Sequence, residues 1–438
     1  MEAQKKSSKG RGSGRGKDST RRIAASMLAQ VTRGKTLDEV RDRLDALDPQ
    51  ERNLADAIVQ TSLRHYGEIK LHLAAHMKRA LPLRPHIAHA LLVTGAAQLL
   101  YMNVPPHAAI DETVAATGRQ EQPFRGLINA VLRKLAAAQK DGTLAATQAA
   151  DNLPDWMRAR FQTAYGADGL EAICTAHQNG PALDVCFKNP EKAAAWADKN
   201  GAERLTDTHI RLTAPGAVTK LDGFHDGDWF VQDVAAGWPA AMLLEKLDAP
   251  SRVLDLCAAP GGKTLQLAAA GHKVTALDIS PARLKRVSEN LRRTKLSAET
   301  VAADAFDWHP QEPFDAIILD APCSASGTLR RHPDLALNRN EGYIAKLADM
   351  QARLLDRAAD WLASKGHLVY AVCSLDPEEG ETQAEAFLTR HKAFRLIRPD
   401  NVPQELLFEN CLRTTPADWA TRGGMDGFFA ALFQKISE

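Results

Sequence analysis

Apolar residues recur at helical spacing through the first third of the chain. Within residues 23–138 they recur as in the set Ile23, Met27, Leu28 and Val31, which lie at positions i, i+4, i+5 and i+8. Such spacing lines one face of a helix with 3.6 residues per turn. The segment RGLINAVLRKLAAA, residues 125–138, repeats the pattern. We predict an all-helical domain over residues 21–145.

The pattern changes after residue 251, where short apolar runs alternate with helical segments such as 281–293 and 343–363. This rhythm is typical of a parallel, doubly wound α/β sheet. The predicted strands are RVLDLC, KVTALDI, ETVAAD, FDAIILDAP and GHLVYAVCS. We predict a Rossmann-like domain over residues 251–438. Residues 150–250 mix a helical start with the extended pieces LDVCFKN and DWFVQD, which predicts a small mixed α+β connecting subdomain.

Length and composition narrow the class of protein. A chain of 438 residues can form more than one core, and 45% hydrophobic and 25% charged residues are ordinary for a globular protein. The best candidate for a membrane span, residues 88–102, contains His89, Thr94 and Gln98 and is shorter than the roughly 20 residues needed. With no secretion signal evident, we expect a cytoplasmic protein without a membrane partner. The six cysteines are scattered and form no C-x-x-C pair, which favours reduced thiols and no metal site.

The charge distribution gives a mixed indication of an RNA partner. The formal net charge is only +1, yet the first 22 residues hold eight lysines and arginines against two acidic residues. We predict that residues 1–20 are a disordered basic tail, which either binds RNA phosphates or is simply solvated. The helical domain offers a possible RNA-facing surface, with ordinary solvated helix faces as the alternative. Its basic positions are Arg52, Arg64, Lys70, Lys78, Arg79, Arg84, Arg125, Arg133 and Lys134.

Acidic residues and cysteines follow the predicted strands of the second half. In an open α/β sheet, ligands bind beyond the carboxyl ends of the strands, so we expect these side chains to share one rim. Three of the six cysteines fall there, which argues against their being inert buried thiols. The rim residues are Cys257, Asp278, Asp304, Asp320, Cys323 and Cys373.

The loop DLCAAPGGKT, residues 255–264, is one residue short of a phosphate-binding loop. Cys257 stands where the first glycine belongs, and Pro260 has no N–H to offer a phosphate. A nucleotide hydrolase using Gly262, Lys263 and Thr264 nevertheless stays open, because AIILDAP imitates a magnesium-binding strand.

S-adenosylmethionine explains more of the rim than a triphosphate does. Asp278 follows Gly261 by 17 residues, close to the spacing at which an acid accepts hydrogen bonds from a ribose. The cofactor also carries a sulfonium cation, which carboxylates such as Asp255, Asp304 and Asp320 would attract. A triphosphate would be repelled by the same acids unless a metal were present.

The cysteines have a chemical use if the substrate is a cytosine. C5 of cytosine is a poor nucleophile until a thiolate adds to C6. After C5 has attacked the methyl group, a second group must remove the C5 proton so that the thiolate can leave. An acid near N3 takes up the developing charge. Cys373, Cys323 and Asp320 are the right kinds of group.

At this point the chain resembles a known family. The motifs DLCAAPGGKT, LDIS, DAPCSASGT, VCSLDPEEGE and DGFFAALFQK resemble those of the RNA cytosine-5 methyltransferases. PPHAAIDETV and GLINAVLRKL resemble the NusB-like helical RNA-binding domain fused to the branch that acts on bacterial 16S ribosomal RNA. The resemblance runs from about residue 21 to the end of the chain.

The resemblance implies a role for each matching residue. Cys373 would be the nucleophile, Cys323 would assist product release, and Asp320 would contact the target base, which must leave its stack. One departure is Val372, where the family commonly has threonine. The residues expected to surround S-adenosylmethionine are Cys257, Ala258, Ala259, Pro260, Gly261, Gly262, Lys263, Asp278, Asp304 and Asp320, with Arg283 as a further candidate.

The resemblance also implies an RNA partner, 16S ribosomal RNA, and neither a metal nor an obligate protein partner. A non-catalytic alternative is an RNA binder for ribosome assembly or antitermination, in which the Rossmann-like domain is a relic. The presence of both Cys323 and Cys373 argues against that alternative.

Overall fold

A computed structural model describes residues 19–77, 86–213, 216–248 and 250–436. Two compact units divide the chain, the first ending at Ala146 and the second beginning at Thr147. Residues 1–18 of the predicted tail lie outside the described residues, as do Lys78, Arg79 and Arg84 of the predicted basic surface.

The described part of the first unit is helical, as predicted. Its first helix begins at Thr20, because the Ser19 side chain caps it by accepting a hydrogen bond from the Arg22 N–H at 3.3 Å. Thr20, the last residue of the predicted tail, therefore belongs to this helix. The helices are α1 (Thr20–Val31), α2 (Leu37–Val40), α3 (Pro49–Arg64), α4 (Tyr66–His76), α5 (His86–Leu100), α6 (Pro106–Ala115) and α7 (Arg125–Lys140).

The core of this unit is built around α5, which packs against α1, α3, α4, α6 and α7. A helix that is apolar all round belongs in an interior, and α5 buries eleven of its residues. The two polar residues that it buries, Thr94 and Gln98, are both hydrogen-bonded. Gln98 donates to the Thr94 carbonyl at 3.0 Å and accepts from Arg21 at 3.2 Å.

The second unit opens with a small sheet. Its first elements are α8 (Asp155–Gln178), β1 (Leu183–Phe187), α9 (Pro190–Asn200), β2 (Glu203–Arg204), β3 (His209–Leu212), β4 (Trp229–Val231) and α10 (Val234–Leu244). The four strands pair antiparallel in the order β2-β3-β1-β4. The predicted extended pieces LDVCFKN and DWFVQD supply β1 and β4.

The remaining elements form a large sheet with helices on both faces. They are β5 (Arg252–Leu256), α11 (Gly262–Ala269), β6 (Lys273–Asp278), α12 (Pro281–Thr294), β7 (Glu299–Ala302), β8 (Phe314–Asp320), α13 (Leu335–Asn338), α14 (Glu341–Trp361), β9 (Leu362–Val372), α15 (Glu381–Arg390), β10 (Phe394–Ile397), β11 (Leu407–Phe408), β12 (Cys411–Thr414) and β13 (Phe428–Lys435). The order is β11-β12-β13-β9-β8-β5-β6-β7, and β10 pairs with β13.

The five predicted strands are β5 to β9, and they pair in parallel as predicted. The sheet continues beyond these five strands, because β10 to β13 pair antiparallel and β13 runs antiparallel to β9; these four strands were not predicted. The strand β13 is apolar for six successive residues. Such a run is typical of a strand covered on both faces, but it does not indicate whether the strand pairs parallel or antiparallel with its neighbours.

Side chains on the two faces of the sheet pack under different helices. One face lies under α14 and α15, and the other lies under α10 and α11. The helix α10 falls within the predicted connecting subdomain, yet it packs on the large sheet through Val234, Ala235 and Leu243. The predicted boundary near 250 is therefore too late for α10, whose apolar composition suits it to a sheet face.

Candidate active site

The loop after β5 is held by the acid that ends β6. Asp278 accepts hydrogen bonds from the backbone N–H of Ala259 at 3.1 Å and of Ser280 at 2.9 Å. Arg283 pairs with the Asp278 carboxylate at 3.2 Å and also donates to the Ala259 carbonyl. Gly261 has φ +102°, and a Cβ there would lie 3.0 Å from Val287. The glycine therefore serves both the turn and the close approach of α12.

Beneath this loop lies an acid that is not fully satisfied. Asp255, at the end of β5, is fully buried and accepts from the Thr264 hydroxyl at 2.5 Å. Its Oδ1 has no hydrogen-bond partner among the described residues. Burial raises the pKa of Asp255 to about 7, because an apolar interior disfavours the charged form.

Lys263 does not act as the lysine of a phosphate-binding loop. It is buried at the start of α11, donates to Asp320 at 2.7 Å and lies 5.3 Å from the centre of the Phe428 ring. An ammonium group committed to a carboxylate in this way is not free to hold a triphosphate.

Sheet register brings two cysteines together. Asp320 of β8 pairs with Ala371 of β9, so the residues that follow both strands emerge side by side. The sulfur atoms of Cys323 and Cys373 lie 3.4 Å apart. The hydrogen bond with Cys373 and burial raise the pKa of Cys323 well above that of a free thiol.

The other cysteines lie in different surroundings. Cys174, Cys186 and Cys411 are buried, and burial raises the pKa of each to about 12. Cys257, at φ 65° in the loop after β5, also has its pKa raised by burial. A raised pKa is shared by these thiols and Cys323, so what distinguishes Cys323 and Cys373 is their contact with each other.

A buried carboxylate behind the thiols connects their two loops. Ser324 and Ser374 each follow one of the cysteines, and both bond to Glu379. Glu379 accepts from the Ser324 N–H at 2.9 Å, from the Ser374 hydroxyl at 2.6 Å and from Gln351 at 3.0 Å. Sequence reasoning missed this network. The serine that follows each cysteine was the signal that could have indicated it.

Four more charged residues near the thiols were also missed. Arg331 bonds to Asp233 at 2.5 Å and to Asp426 at 2.6 Å. Arg330, only 2% exposed, reaches the same two carboxylates at 3.3 Å each. These pairs tie the segment after Cys323 to the start of α10 and to the segment before β13.

A cavity of about 400 Å³ lies beside Cys373. Its lining includes Ala258, Pro260, Gly262, Lys263, Asp320 and Cys373 from the predicted site. Ala259, Asp278 and Arg283 form a second group held together by the bonds described above. Asp304, two residues beyond β7, accepts from the Phe306 N–H at 2.9 Å. It lies near Asp278 because Ala302 and Asp278 are paired in the sheet.

The residues present fit S-adenosylmethionine. The unsatisfied oxygen of buried Asp255 and the cluster of Asp255, Asp278 and Asp320 suit a cationic ligand. In the described ranges, no group of three His, Cys, Asp or Glu side chains could hold a metal ion. None of the helices described is long and apolar enough to cross a bilayer.

Comparison with known proteins identifies the family. Residues 241–434 match the model of 16S rRNA methyltransferase RsmB/F, and residues 18–137 match that of the NusB family. The ribosomal RNA small subunit methyltransferase B of Serratia proteamaculans is 36% identical over 407 residues, or 88% of this chain and 93% of that protein. The same-named protein of Pasteurella multocida is 34% identical over 444 residues, or 95% and 96%.

A solved structure supports the fold. The structure of NSun6 from Pyrococcus horikoshii is 19% identical, with a TM-score of 0.56, and the likeness covers 65% of this chain and 99% of that one. Fold and relatives together define an S-adenosylmethionine-dependent RNA methyltransferase with an N-terminal NusB domain. The chain belongs to the family of the ribosomal RNA small subunit methyltransferases B, within the RsmB/F group.

This membership decides between the alternatives. The expected enzyme class, cofactor, Rossmann-like fold and NusB-like domain are confirmed. The nucleotide hydrolase suggested by Gly262, Lys263 and Thr264 is wrong, and so is the non-catalytic RNA binder. The roles of individual residues stay predictions.

Proposed function

We propose that the protein methylates C5 of a cytosine in 16S ribosomal RNA through a covalent bond between Cys373 and C6. The observation that carries the proposal is the pair of thiols, 3.4 Å apart at the ends of neighbouring parallel strands. Cys373 and Asp320 line one cavity. A pyrimidine in that cavity would therefore meet a nucleophile and a carboxylate together.

Each side chain has a step to perform. The Cys373 thiolate adds to C6, and the electron pair of the C5–C6 double bond moves into the ring toward N3. S-adenosylmethionine, when bound, supplies the methyl group to C5. A base then takes the C5 proton, the electrons re-form the double bond, and the C6–S bond breaks to return the thiolate. Cys323 is the neighbouring group suited to assist this release.

Asp320 is suited to orient the base. Its side chain is 28% exposed, and Lys263 holds its Oδ2 at 2.7 Å. The carboxylate can accept a hydrogen bond from the amino group of cytosine. The ammonium group of Lys263 lies nearby to compensate charge that develops at N3. A hydrogen-bonded carboxylate thus fixes the ring over the Cys373 sulfur.

The cofactor occupies the other side of the rim in this proposal. The residues that would hold it are the loop 257–263 with Asp278, Asp304, Asp320 and Arg283. Asp278 would bind the ribose, since its carboxylate stands at the end of β6.

The domain organisation completes the proposal. The helical domain, residues 21–145, would bind RNA, residues 150–250 would connect, and residues 251–438 would catalyse. The relatives named for the small subunit RNA support 16S ribosomal RNA as the substrate. That substrate would place the protein in the cytoplasm.

Two cysteine variants test the mechanism. Cys373→Ala should abolish 5-methylcytidine formation in unmodified 16S ribosomal RNA, measured by mass spectrometry of digested RNA. Cys323→Ala should accumulate a protein–RNA adduct that survives denaturing electrophoresis when cofactor is present. Cys174→Ala, which changes a buried thiol of α8, is the matched control and should retain turnover.

Either of two results would contradict the assigned roles. Full turnover by Cys373→Ala would show that Cys373 is not the nucleophile. Absence of an adduct with Cys323→Ala would show that Cys323 does not assist release of the product. Sequencing of 5-methylcytosine in ribosomal and transfer RNA, with and without the protein, tests the substrate itself.

A further inference from the structure

Three cations line the cavity beside Cys373, and they differ in their partners. Lys263 is paired with Asp320 at 2.7 Å. Arg331 is paired with two carboxylates. Within the described part of the chain, Arg293 has no acidic partner and bonds only to neutral oxygens.

The Arg293 guanidinium is nevertheless held in a defined position. It projects from the last turn of α12 and donates to the carbonyls of Phe224 at 2.9 Å and Trp229 at 3.0 Å. Its central carbon lies 4.4 Å from the centre of the Phe224 ring, and one nitrogen lies 3.4 Å from the Asn290 side chain. These contacts leave Nε without a partner among the described residues. The group is oriented, yet it keeps a donor for a ligand.

A partly buried cation without a counter-charge is costly. Burial lowers the pKa of Arg293, which agrees with a missing acid. An anionic ligand would supply the charge, and a guanidinium matches the geometry of a phosphate. The RNA substrate brings such a group into the cavity with its target nucleotide.

Further positive charge continues outward from the same end of α12. Lys188 donates to the Thr294 carbonyl at 2.6 Å. Burial is the largest cause that lowers the pKa of Lys188, Asp228 raises it, and Lys192, Lys295 and Arg293 lower it further. Asp228 pairs with Lys192 at 2.7 Å, so three of these four cations remain without that carboxylate as an ion-pair partner. The basic end of α12 therefore offers an electrostatic path for a polyanion leading to the cavity.

The cofactor carboxylate is the competing anion, because Ala258, Pro260 and Gly262 of the cofactor loop line the same cavity as Arg293. Arg283, which holds the cofactor loop, lies ten residues earlier on α12, or about 15 Å along the helix axis. Lys188 and Lys295 lie at the Arg293 end of α12, where a chain of phosphates can meet more than one cation. A second phosphate of an extended chain fits this arrangement better than one carboxylate does.

We propose that Arg293 binds a phosphodiester of the RNA adjacent to the target cytosine. The inference rests on the proposed function, because it assumes that the cavity admits a nucleotide of RNA. It adds a substrate-binding residue that positions the backbone while Asp320 and Cys373 act on the base.

The test measures binding of in vitro transcribed 16S ribosomal RNA over a salt series, with S-adenosylhomocysteine present. Arg293→Gln should weaken binding by about tenfold and reduce the slope of log affinity against log salt by about 0.7 to 0.9, as expected for one lost phosphate contact. Affinity for S-adenosylhomocysteine should not change. The matched control is Arg286→Gln, which removes an exposed arginine of α12 that is not among the residues lining the cavity, and it should leave the slope unchanged.

Other results would overturn the inference. If Arg293→Gln kept the wild-type RNA affinity and salt slope, Arg293 would not contact a phosphate of the RNA. If the variant instead bound S-adenosylhomocysteine more weakly and RNA normally, Arg293 would bind the cofactor. If the glutamine variant does not fold, Arg293→Lys is measured in its place, because lysine keeps the positive charge but lacks the planar guanidinium with its several N–H donors. It should keep the salt slope and lose about threefold in RNA affinity, and unchanged affinity would contradict the proposal. Failure of the proposed function would be recognised separately, because the wild-type protein would then form no 5-methylcytidine.

Discussion

The two halves of the site are assembled in different ways. In the cofactor half, Asp278 fixes the loop through backbone N–H groups of Ala259 and Ser280, all within about twenty residues of chain. In the cysteine half, Glu379 holds Ser324 from a position 55 residues away. Hydrogen bonds between residues close in sequence fix the conformation of the cofactor loop. The two thiols, by contrast, are positioned only when strands β8 and β9 pair.

The largest effect that we expect concerns the buried acid of the cofactor half. The pKa of Asp255 is raised to about 7, whereas an aspartate in the unfolded chain titrates near 3.9. Its contribution to stability is therefore full at acidic pH and is lost as the pH rises through 7. Between pH 5 and 8 the wild-type free energy of unfolding should lose about 3 kcal/mol from this group.

Asp255→Asn should remove that dependence. The measurement is the free energy of unfolding by urea at pH 5, 6.5 and 8 without cofactor. Asp315→Asn, at a partly exposed position of β8 whose carboxylate accepts from the Arg252 N–H at 2.8 Å, serves as a control and should keep the wild-type slope. Parallel pH profiles for wild type and Asp255→Asn would show that Asp255 is ionised throughout this range and would contradict the prediction.

Loss of the central carboxylate of the cysteine half should have the next largest effect. Glu379→Gln keeps the size of the side chain but weakens hydrogen bonds to a charged group, each worth about 1.5 to 3 kcal/mol. We expect kcat to fall by about 10- to 100-fold, because the two thiols lose their fixed separation. The KM for S-adenosylmethionine should stay within about twofold, since the cofactor half is built independently.

The neighbouring residue provides a matched control for that experiment. Glu378 is half exposed and pairs with Arg160, so Glu378→Gln should leave kcat nearly unchanged. If both glutamine variants behaved alike, Glu379 would be a stabilising residue without influence on the thiols. A pH profile of kcat that moves only in Glu379→Gln would separate positioning from stability, because Glu379 also acts on the titration of Cys323.

The sequence could predict those parts of the molecule that local patterns determine. Strands β5 to β9 follow from their apolar runs, and the meeting of Cys323 and Cys373 at one rim follows from the strands that precede them. The antiparallel strands β10 to β13 were not predicted, because an apolar run does not reveal its pairing direction. Residues that act across the fold were also missed, since Asp426 and Arg331 meet from positions 95 residues apart.

Arg293 belongs to the same group of residues that sequence alone could not place. In the sequence it is one of six basic residues in the segment 283–295, and nothing local distinguishes it from the others. Its distinction comes from carbonyls 64 and 69 residues away in the chain. The buried face of a helix can be predicted from the spacing of its apolar residues. Whether an arginine has an acidic partner is evident only when its neighbours in the fold are known.

The smallest effect that we expect concerns the exposed ion pair of the cofactor half. Arg283 is 55% exposed and pairs with Asp278 at 3.2 Å, and pairs of this kind contribute about 0.2 to 1 kcal/mol. Arg283→Gln should therefore weaken S-adenosylhomocysteine binding by about two- to fivefold, measured by calorimetry, with RNA affinity unchanged. Arg286→Gln on the same helix should leave cofactor affinity at the wild-type value. A loss above about 50-fold would mean that Arg283 contacts the cofactor directly, and the cofactor half would then depend on a long side chain as well as on its backbone.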